Sequence, residues 1–244
     1  MDYFEAYGEL SKQISDEILC SGRYKEQEKC IPDIIKEITA KLNLCEKDVL
    51  LDIGCGTGII SSDLSKKVFK IFLNDNESIL DAFKKKYQIP NAFFISGNFL
   101  EINTKNLPAF DKILSYSVIH YLKNHKEISR FIEKAISILK PGGILMIGDI
   151  PNLSKKARFL STKYGQEFSK KFSSNLKNKE EIDEIFGVFN KAEKTENHIN
   201  DSFLMEIIKK QRENGNESFI LPQDPEKCAF GYTKEDLIII KKRL

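Results

Sequence analysis

The sequence predicts an α/β fold built on a seven-stranded, mostly parallel sheet with helices on both faces. Three observations carry this. Short apolar runs alternate with helical stretches from Asp48 to Ile150, the pattern of parallel strands joined by right-handed helical crossovers. The first run, Val49–Ile53, ends in glycines, as a buried strand does at its turn. Two later apolar runs, Ser218–Leu221 and Leu237–Ile240, supply the remaining strands. With 244 residues, 41% of them hydrophobic, the chain has room for one such domain plus an insertion or cap.

The elements follow in order. Residues 1–48 are expected to form a helical N-terminal cap. Leu10, Ile14 and Ile18 recur every four residues, and Ile34, Ile35, Ile38 and Leu42 follow Pro32 on one face; proline suits a first helical turn. The break falls at Cys20–Arg23. Residues 49–150 read as the α/β core: a strand at 49–53, a helix from about Gly58 to Lys67, a strand at 69–75, and a helix marked by Ile79, Leu80, Phe83 and Tyr87. Strands at 92–96 and 112–117 come next. The following helix has Asn124 as its cap and Glu127 three residues on. Its stripe is Ile128, Phe131, Ile132, Ala135, Ile136 and Leu139, and Lys140-Pro141-Gly142-Gly143 closes it before a strand at 144–150. Residues 151–198 change character, with eight Lys/Arg against three Asp/Glu between Pro151 and Glu181 and several aromatics; a lid insertion is expected. Residues 199–244 complete the core with a helix and two strands, the C-terminal one lying antiparallel at the sheet edge.

The charge balance, 38 Lys+Arg against 36 Asp+Glu, excludes a globally basic nucleic-acid binder. No apolar run approaches the ~20 residues of a membrane span, and Met1–Glu5 has neither the basic nor the apolar part of a secretory leader. A cytoplasmic location is therefore expected. The five cysteines are odd in number and show no CxxC spacing, which argues against a disulfide framework or a thiolate metal site. The three histidines lack metal-ligand spacing, so no metal is expected.

The strongest chemical signal is Asp52-Ile53-Gly54-Cys55-Gly56-Thr57-Gly58, a strand running through glycines toward a helix. Glycines let the backbone turn sharply and approach a ligand closely, and a helix N-terminus favours an anionic group. A P-loop would need GxxxxGK[ST], which is absent. A dinucleotide fingerprint would need GxGxxG, but the third place here is Ile59.

DIGCGTG at 52–58 resembles the first motif of class I S-adenosylmethionine (SAM) dependent methyltransferases, whose fold is Rossmann-like. Four further features stand in the same order: Asp75 at the end of the second strand; Gly97-Asn98-Phe99 after the third; Ser115-Tyr116-Ser117-Val118-Ile119-His120 at the end of the fourth; and Leu139-Lys140-Pro141-Gly142-Gly143 before the fifth. The resemblance covers residues 49–150 and, more loosely, 199–241. It implies that Gly54, Cys55, Gly56 and Gly58 cradle SAM, that Asp52 faces its amino-acid end, and that Asp75 accepts from both ribose hydroxyls. An ionised carboxylate can do so, at roughly 1.5–3 kcal/mol per charged hydrogen bond. Asn76 is a second ribose candidate or a turn residue. Asn98, where the family usually has Asp, takes the adenine amino group, with Gly97, Phe99 and Ser115 also at the cofactor. Arg23, near the break in the cap, is placed at the cofactor's carboxylate by the way such caps close.

For catalysis, His120 at the carboxyl edge of the sheet is either a proton acceptor or a structural hydrogen-bonding residue. Tyr116 lines the acceptor pocket or packs, and Asp149 reaches the pocket or caps a turn. The expected function is methyl transfer from SAM to a small-molecule acceptor, as an O-methylation of a sugar or phosphorylated metabolite. The chain lacks the [DN]PP[YF] string of nucleobase-amine methyltransferases, so a nucleic-acid substrate is disfavoured. The alternatives are a nicotinamide-dependent oxidoreductase on a related fold and a non-catalytic partner protein of the same fold.

Overall fold

In the computed structural model, the described residues are 2–14, 16–21, 23–175, 187, 195, 196 and 198–243. A seven-stranded sheet forms its centre, in the order β3-β2-β1-β4-β5-β7-β6. The strands are β1 (Val49–Ile53), β2 (Lys70–Asp75), β3 (Ala92–Ser96), β4 (Phe110–Tyr116), β5 (Leu139–Pro151), β6 (Glu217–Pro222) and β7 (Lys234–Ile240). β1 to β5 pair parallel, whereas β7 runs antiparallel to both β5 and β6.

Side chains alternate across the sheet with period two. Leu51, Ile113, Leu145, Ile147, Leu237 and Ile239 face one buried layer. That layer is completed by α6 (His125–Ser137), through Ile128, Phe131 and Ile132, and by α9 (Asp201–Glu213), through Phe203, Leu204 and Ile207. Leu50, Ile71, Leu73, Leu114, Met146 and Ile238 face the other layer. There α3 (Ile31–Leu42) presents Ile34, Ile35, Ile38 and Leu42, and α5 (Glu77–Lys86) presents Leu80 and Phe83. Each such side chain removed from water contributes roughly 1.5–3 kcal/mol.

Two local expectations change. The helix after the glycine loop is short: α4 (Ser61–Leu64), followed by a 3-10 turn at Ser65–Lys67. Gly58 has φ +102°, which a right-handed helix cannot use, so Gly54–Ile60 stays a loop. β5 also begins earlier than expected, at Leu139, and carries Pro141-Gly142-Gly143 within it. α6 starts as predicted, with the Asn124 side chain accepting from the Glu127 N–H at 3.0 Å.

The antiparallel strand is a correction. The C-terminal strand β7 is internal, and β6 takes the edge. The burial explains it. Asp236, Leu237, Ile238 and Ile239 of β7 are buried on both faces, whereas β6 exposes Glu217, Phe219 and Pro222, and proline is tolerated at an edge.

The N-terminal segment forms α1 (Tyr3–Gln13), α2 (Glu17–Cys20) and a 3-10 turn (Lys25–Cys30) before α3. Beyond β5 lie α7 (Leu153–Leu160) and α8 (Lys163–Asn175). They meet the segment before β7 through aromatic contacts, with the Phe159 ring stacked 4.4 Å from that of Tyr232. The rest of the expected lid, residues 176–186, 188–194 and 197, lies outside the described residues. Among the described residues, no helix is long and apolar enough to cross a membrane, and no three metal-ligating side chains gather in one place.

Candidate active site

The glycine loop folds over the end of β2. Gly54 and Cys55 N–H groups donate to the Asn74 carbonyl at 2.8 and 3.2 Å, a turn that needs φ +76° at Gly54 and +58° at Gly56. The Gly56 N–H then donates to Asp75 Oδ2 at 2.8 Å, and the Asn76 N–H to Oδ1 at 2.7 Å. A carboxylate offers about four lone-pair sites. The two backbone groups therefore leave one site on each oxygen, which suits a vicinal diol. Burial pushes the Asp75 carboxyl up to about 6, against the pull of those two N–H groups. Asn74 ties the neighbouring loop in place, its amide donating to Ile95 O at 2.9 Å and Gly97 O at 2.8 Å. Asn98 Oδ1 accepts from the Leu100 N–H at 3.0 Å, a local turn that sets Phe99 beside the Phe131 ring.

Asp52 lies behind the loop. Burial pushes its carboxyl up to about 7, opposed by the Ser61 hydroxyl, which donates at 2.5 Å, and reinforced by Asp75.

These groups line one side of a cavity of about 460 Å³, within the range of small-ligand sites. The N-terminal segments roof it. α1 lies on the N-terminal end of α5: Gly8 packs against the Asn76 side chain, where a Cβ would come within 2.5 Å. The Tyr7 hydroxyl donates to that of Tyr121 at 2.6 Å, and the Tyr3 ring stands 5.1 Å from the Tyr121 ring. Tyr3, Tyr7, Cys20 and Arg23 all line the cavity.

At the far end stand the tips of β4 and β5. Ser117 and Asp149 both adopt left-handed backbone, at φ +61° and +60°, costly for any residue with a Cβ. The Ser117 hydroxyl donates to Asp149 Oδ2, and it accepts from Arg23 Nη2 at 3.1 Å. Lys234 Nζ donates to Asp149 at 2.6 Å. Burial alone would raise the Asp149 carboxyl, but Lys234, Arg23 and Ser117 together hold it below the usual carboxylate range. Burial, with Asp149 nearby, lifts the Tyr116 phenol well above its ordinary value. Burial and Lys234 lower the His120 imidazole to about 3.

The predicted residues thus sort into two groups. Asp52, Gly54, Cys55, Gly56, Asp75, Asn98, Phe99, Tyr116 and Arg23 line the cavity. Gly58, Asn76, Gly97, Ser115, His120 and Asp149 are not among its lining residues and stand behind it. Gly58 makes room for the Phe83 ring, 2.5 Å from where a Cβ would sit. Asn76 caps α5, accepting from the Ser78 N–H. Ser115 is fully buried. His120 packs against the cavity-lining Tyr121, the rings tilted by 46° with centroids 4.0 Å apart, and Asp149 meets the cavity-lining Ser117. Sequence reasoning missed Tyr3, Tyr7, Gly8, Ser117 and Lys234. The pair Tyr3 and Tyr7, one turn apart with a helix-interior glycine after them, was the one available signal.

The raised carboxyls have a consequence for pH. An unfolded aspartate titrates near 3.9, so the folded chain holds protons that the unfolded one has released. The stability from Asp52 and Asp75 is fully present below about pH 4 and is lost as pH rises through about 6 to 7. A diol ligand needs Asp75 ionised, so it should bind less tightly as pH falls through about 6. In a thermal-shift measurement, a nucleoside ligand should therefore raise the melting temperature more at pH 8 than at pH 5. An equal rise at both would contradict the assignment of Asp75.

Residues 51–147 match a family described as methyltransferase domain. Among curated proteins, one named "Probable ribosomal RNA small subunit methyltransferase A" from Thermococcus gammatolerans is 33% identical over 86 residues, 35% of this chain and 30% of that protein. A ubiquinone biosynthesis O-methyltransferase from Rickettsia canadensis is 29% identical over 134 residues, 52% of each chain. The chain thus spans from 30% to 52% of the length of these relatives. Among solved structures, phosphoethanolamine N-methyltransferase 1 of Haemonchus contortus, in complex with phosphoethanolamine and S-adenosylhomocysteine, matches with a TM-score of 0.68 and 15% identity, covering 99% of this chain and 49% of that one. That likeness shows the fold. The chain carries a methyltransferase domain on the class I SAM-dependent fold, and SAM is the cofactor of that class. The cavity fits it: Asp75 keeps two acceptor sites for a ribose, and a Cβ on Gly56 would meet nothing within 4 Å, leaving space for a ligand against the loop.

Proposed function

We propose that the protein transfers the methyl group of SAM to a small-molecule acceptor in the cytoplasm, by O-methylation of a sugar or phosphorylated metabolite. The carrying observation is the roof. α1 and Arg23 close over the glycine loop and Asp75, leaving about 460 Å³ for cofactor and acceptor. An acceptor must then enter whole, which favours a compact molecule over a base held in folded RNA, where flipping would be required. The bound cofactor supplies a methyl group already activated on sulfonium. The chain's part is to hold the acceptor in line with that bond and to keep water out.

Asp52, the glycine loop, Asp75, Asn98 and Phe99 bind the cofactor in this reading, with Arg23 at its carboxylate. Tyr116 keeps its phenolic proton and so donates a hydrogen bond to the acceptor. His120 stays neutral at physiological pH and packs behind the cavity-lining Tyr121, so in this reading it supports the wall and does not itself take the acceptor's proton. Asp149 fixes the wall between them. The test is transfer of radiolabelled methyl from SAM to a panel of sugars, sugar phosphates and phosphoethanolamine, with ribosomal RNA as the comparison. Labelling within the first group is expected. Labelling of RNA alone would overturn the small-molecule reading.

A further inference from the structure

We propose that Lys234, Asp149 and Ser117 are positioning residues that keep Arg23 available for the carboxylate end of the cofactor; this rests on the reading that the cavity takes SAM. The four side chains form one line from four parts of the fold: Lys234 at the start of β7, Asp149 near the end of β5, Ser117 just past β4, and Arg23 in the N-terminal roof. Lys234 Nζ donates to Asp149 at 2.6 Å, the Ser117 hydroxyl donates to the same carboxylate oxygen, and Arg23 Nη2 donates to the Ser117 hydroxyl at 3.1 Å.

The backbone is bent to make this line. The β5–β7 register shifts between Ile147 and Ile150, and a bulge of this kind re-aims a side chain. Ser117 and Asp149 sit in left-handed conformations that glycine would adopt without cost. Serine and aspartate stand there instead, and both use their side chains in the line. Asp149 is further held by its N–H, which donates to Asp236 Oδ1 at 2.8 Å.

Charge gives the line its purpose. Asp149 is buried, and a buried carboxylate draws the nearest cation to itself. Lys234 satisfies it from one side, and Ser117 is interposed on the other. Arg23 consequently forms no ion pair among the described residues. It lines the cavity; beyond Ser117, its guanidinium meets the Ser21 carbonyl at 3.4 Å and lies over the Tyr116 ring, 5.8 Å from its centroid. A guanidinium has five N–H donors in a fork that matches a carboxylate, so most of its donors remain for an anion. Without Lys234, Asp149 would be the closest anion to Arg23 and would compete with the ligand for it.

The experiment is a calorimetric titration of the full chain with two ligands, S-adenosylhomocysteine and 5′-methylthioadenosine, which shares the nucleoside and thioether but lacks the amino-acid end. Lys234→Met should weaken S-adenosylhomocysteine by about tenfold or more, the loss of a charge-assisted carboxylate contact, whereas Asp149→Asn, which removes the competing anion, should bind it at least as tightly as wild type. Both should leave methylthioadenosine binding unchanged, and Lys234→Arg should restore the first affinity. Equal losses for both ligands would show a merely structural role and overturn the proposal. So would a Lys234→Met protein that binds S-adenosylhomocysteine as tightly as wild type. A wild-type protein that binds neither ligand faults the cofactor reading itself, which separates the two failures.

Discussion

Asp75→Ala should weaken S-adenosylhomocysteine binding by about a hundredfold while leaving the chain folded. Asp75 ends β2 under the glycine loop, with one oxygen fixed by the Gly56 N–H and the other by the Asn76 N–H. What remains free on the carboxylate is one acceptor site per oxygen, matched to a ribose diol. Hydrogen bonds to a charged group contribute roughly 1.5–3 kcal/mol each, so losing two costs about 3 kcal/mol or more, which is about two decades of affinity. The fold should survive because the carboxylate is buried and its pKa raised. Its ionised form therefore costs stability near neutral pH, and alanine removes that cost while freeing two N–H groups. Urea unfolding of the variant checks the fold and calorimetry reads the affinity. An unchanged affinity would remove Asp75 from the site.

Gly54→Ala should cost about 2–5 kcal/mol of stability. The residue sits at φ +76°, which for an alanine costs roughly 1–2 kcal/mol. A Cβ there would also overlap a methyl group of Val118, and overpacking of this kind costs about 1–3 kcal/mol. Against a typical total of about 5–15 kcal/mol, the loss is large. The double variant Gly54→Ala, Val118→Ala separates the two contributions, because it relieves the overlap and leaves the backbone strain. Its urea midpoint should recover about half of the loss. A single variant as stable as wild type would mean that the loop tolerates a side chain, and the close approach of loop and Val118 would have no energetic role.

Much of the core was legible because it is written in local chemistry. The strand boundaries at Val49–Ile53 and Ala92–Ser96 follow from apolar runs cut by polar or glycine residues, and the start of α6 follows from the Asn124 cap. The cavity floor was equally readable, since the glycines and Asp75 lie within one strand–loop–strand stretch. The roof and the far wall were not. Tyr7 meets Tyr121 across 114 positions, Arg23 meets Ser117 across 94, and Lys234 meets Asp149 across 85. No periodicity encodes such pairs; they exist only once the sheet is assembled. The place of β7 was missed for a related reason. Chain order suggests that the last strand takes the edge, but the two-sided burial of Leu237–Ile239 puts it inside and leaves the half-exposed β6 outside. The left-handed backbone at Ser117 and Asp149 was not read from the sequence, because neither position is a glycine, the residue that marks such a turn most plainly.

The most direct measurement is a calorimetric titration of the purified protein at pH 8 with S-adenosylhomocysteine, with NADH run in parallel. Asp75, the glycine loop and the roofed cavity together predict saturable one-to-one binding of S-adenosylhomocysteine and no heat of binding from NADH. Binding of NADH, or the absence of any binding by S-adenosylhomocysteine, would contradict the assignment of this cavity to SAM and the roles given to every residue that lines it.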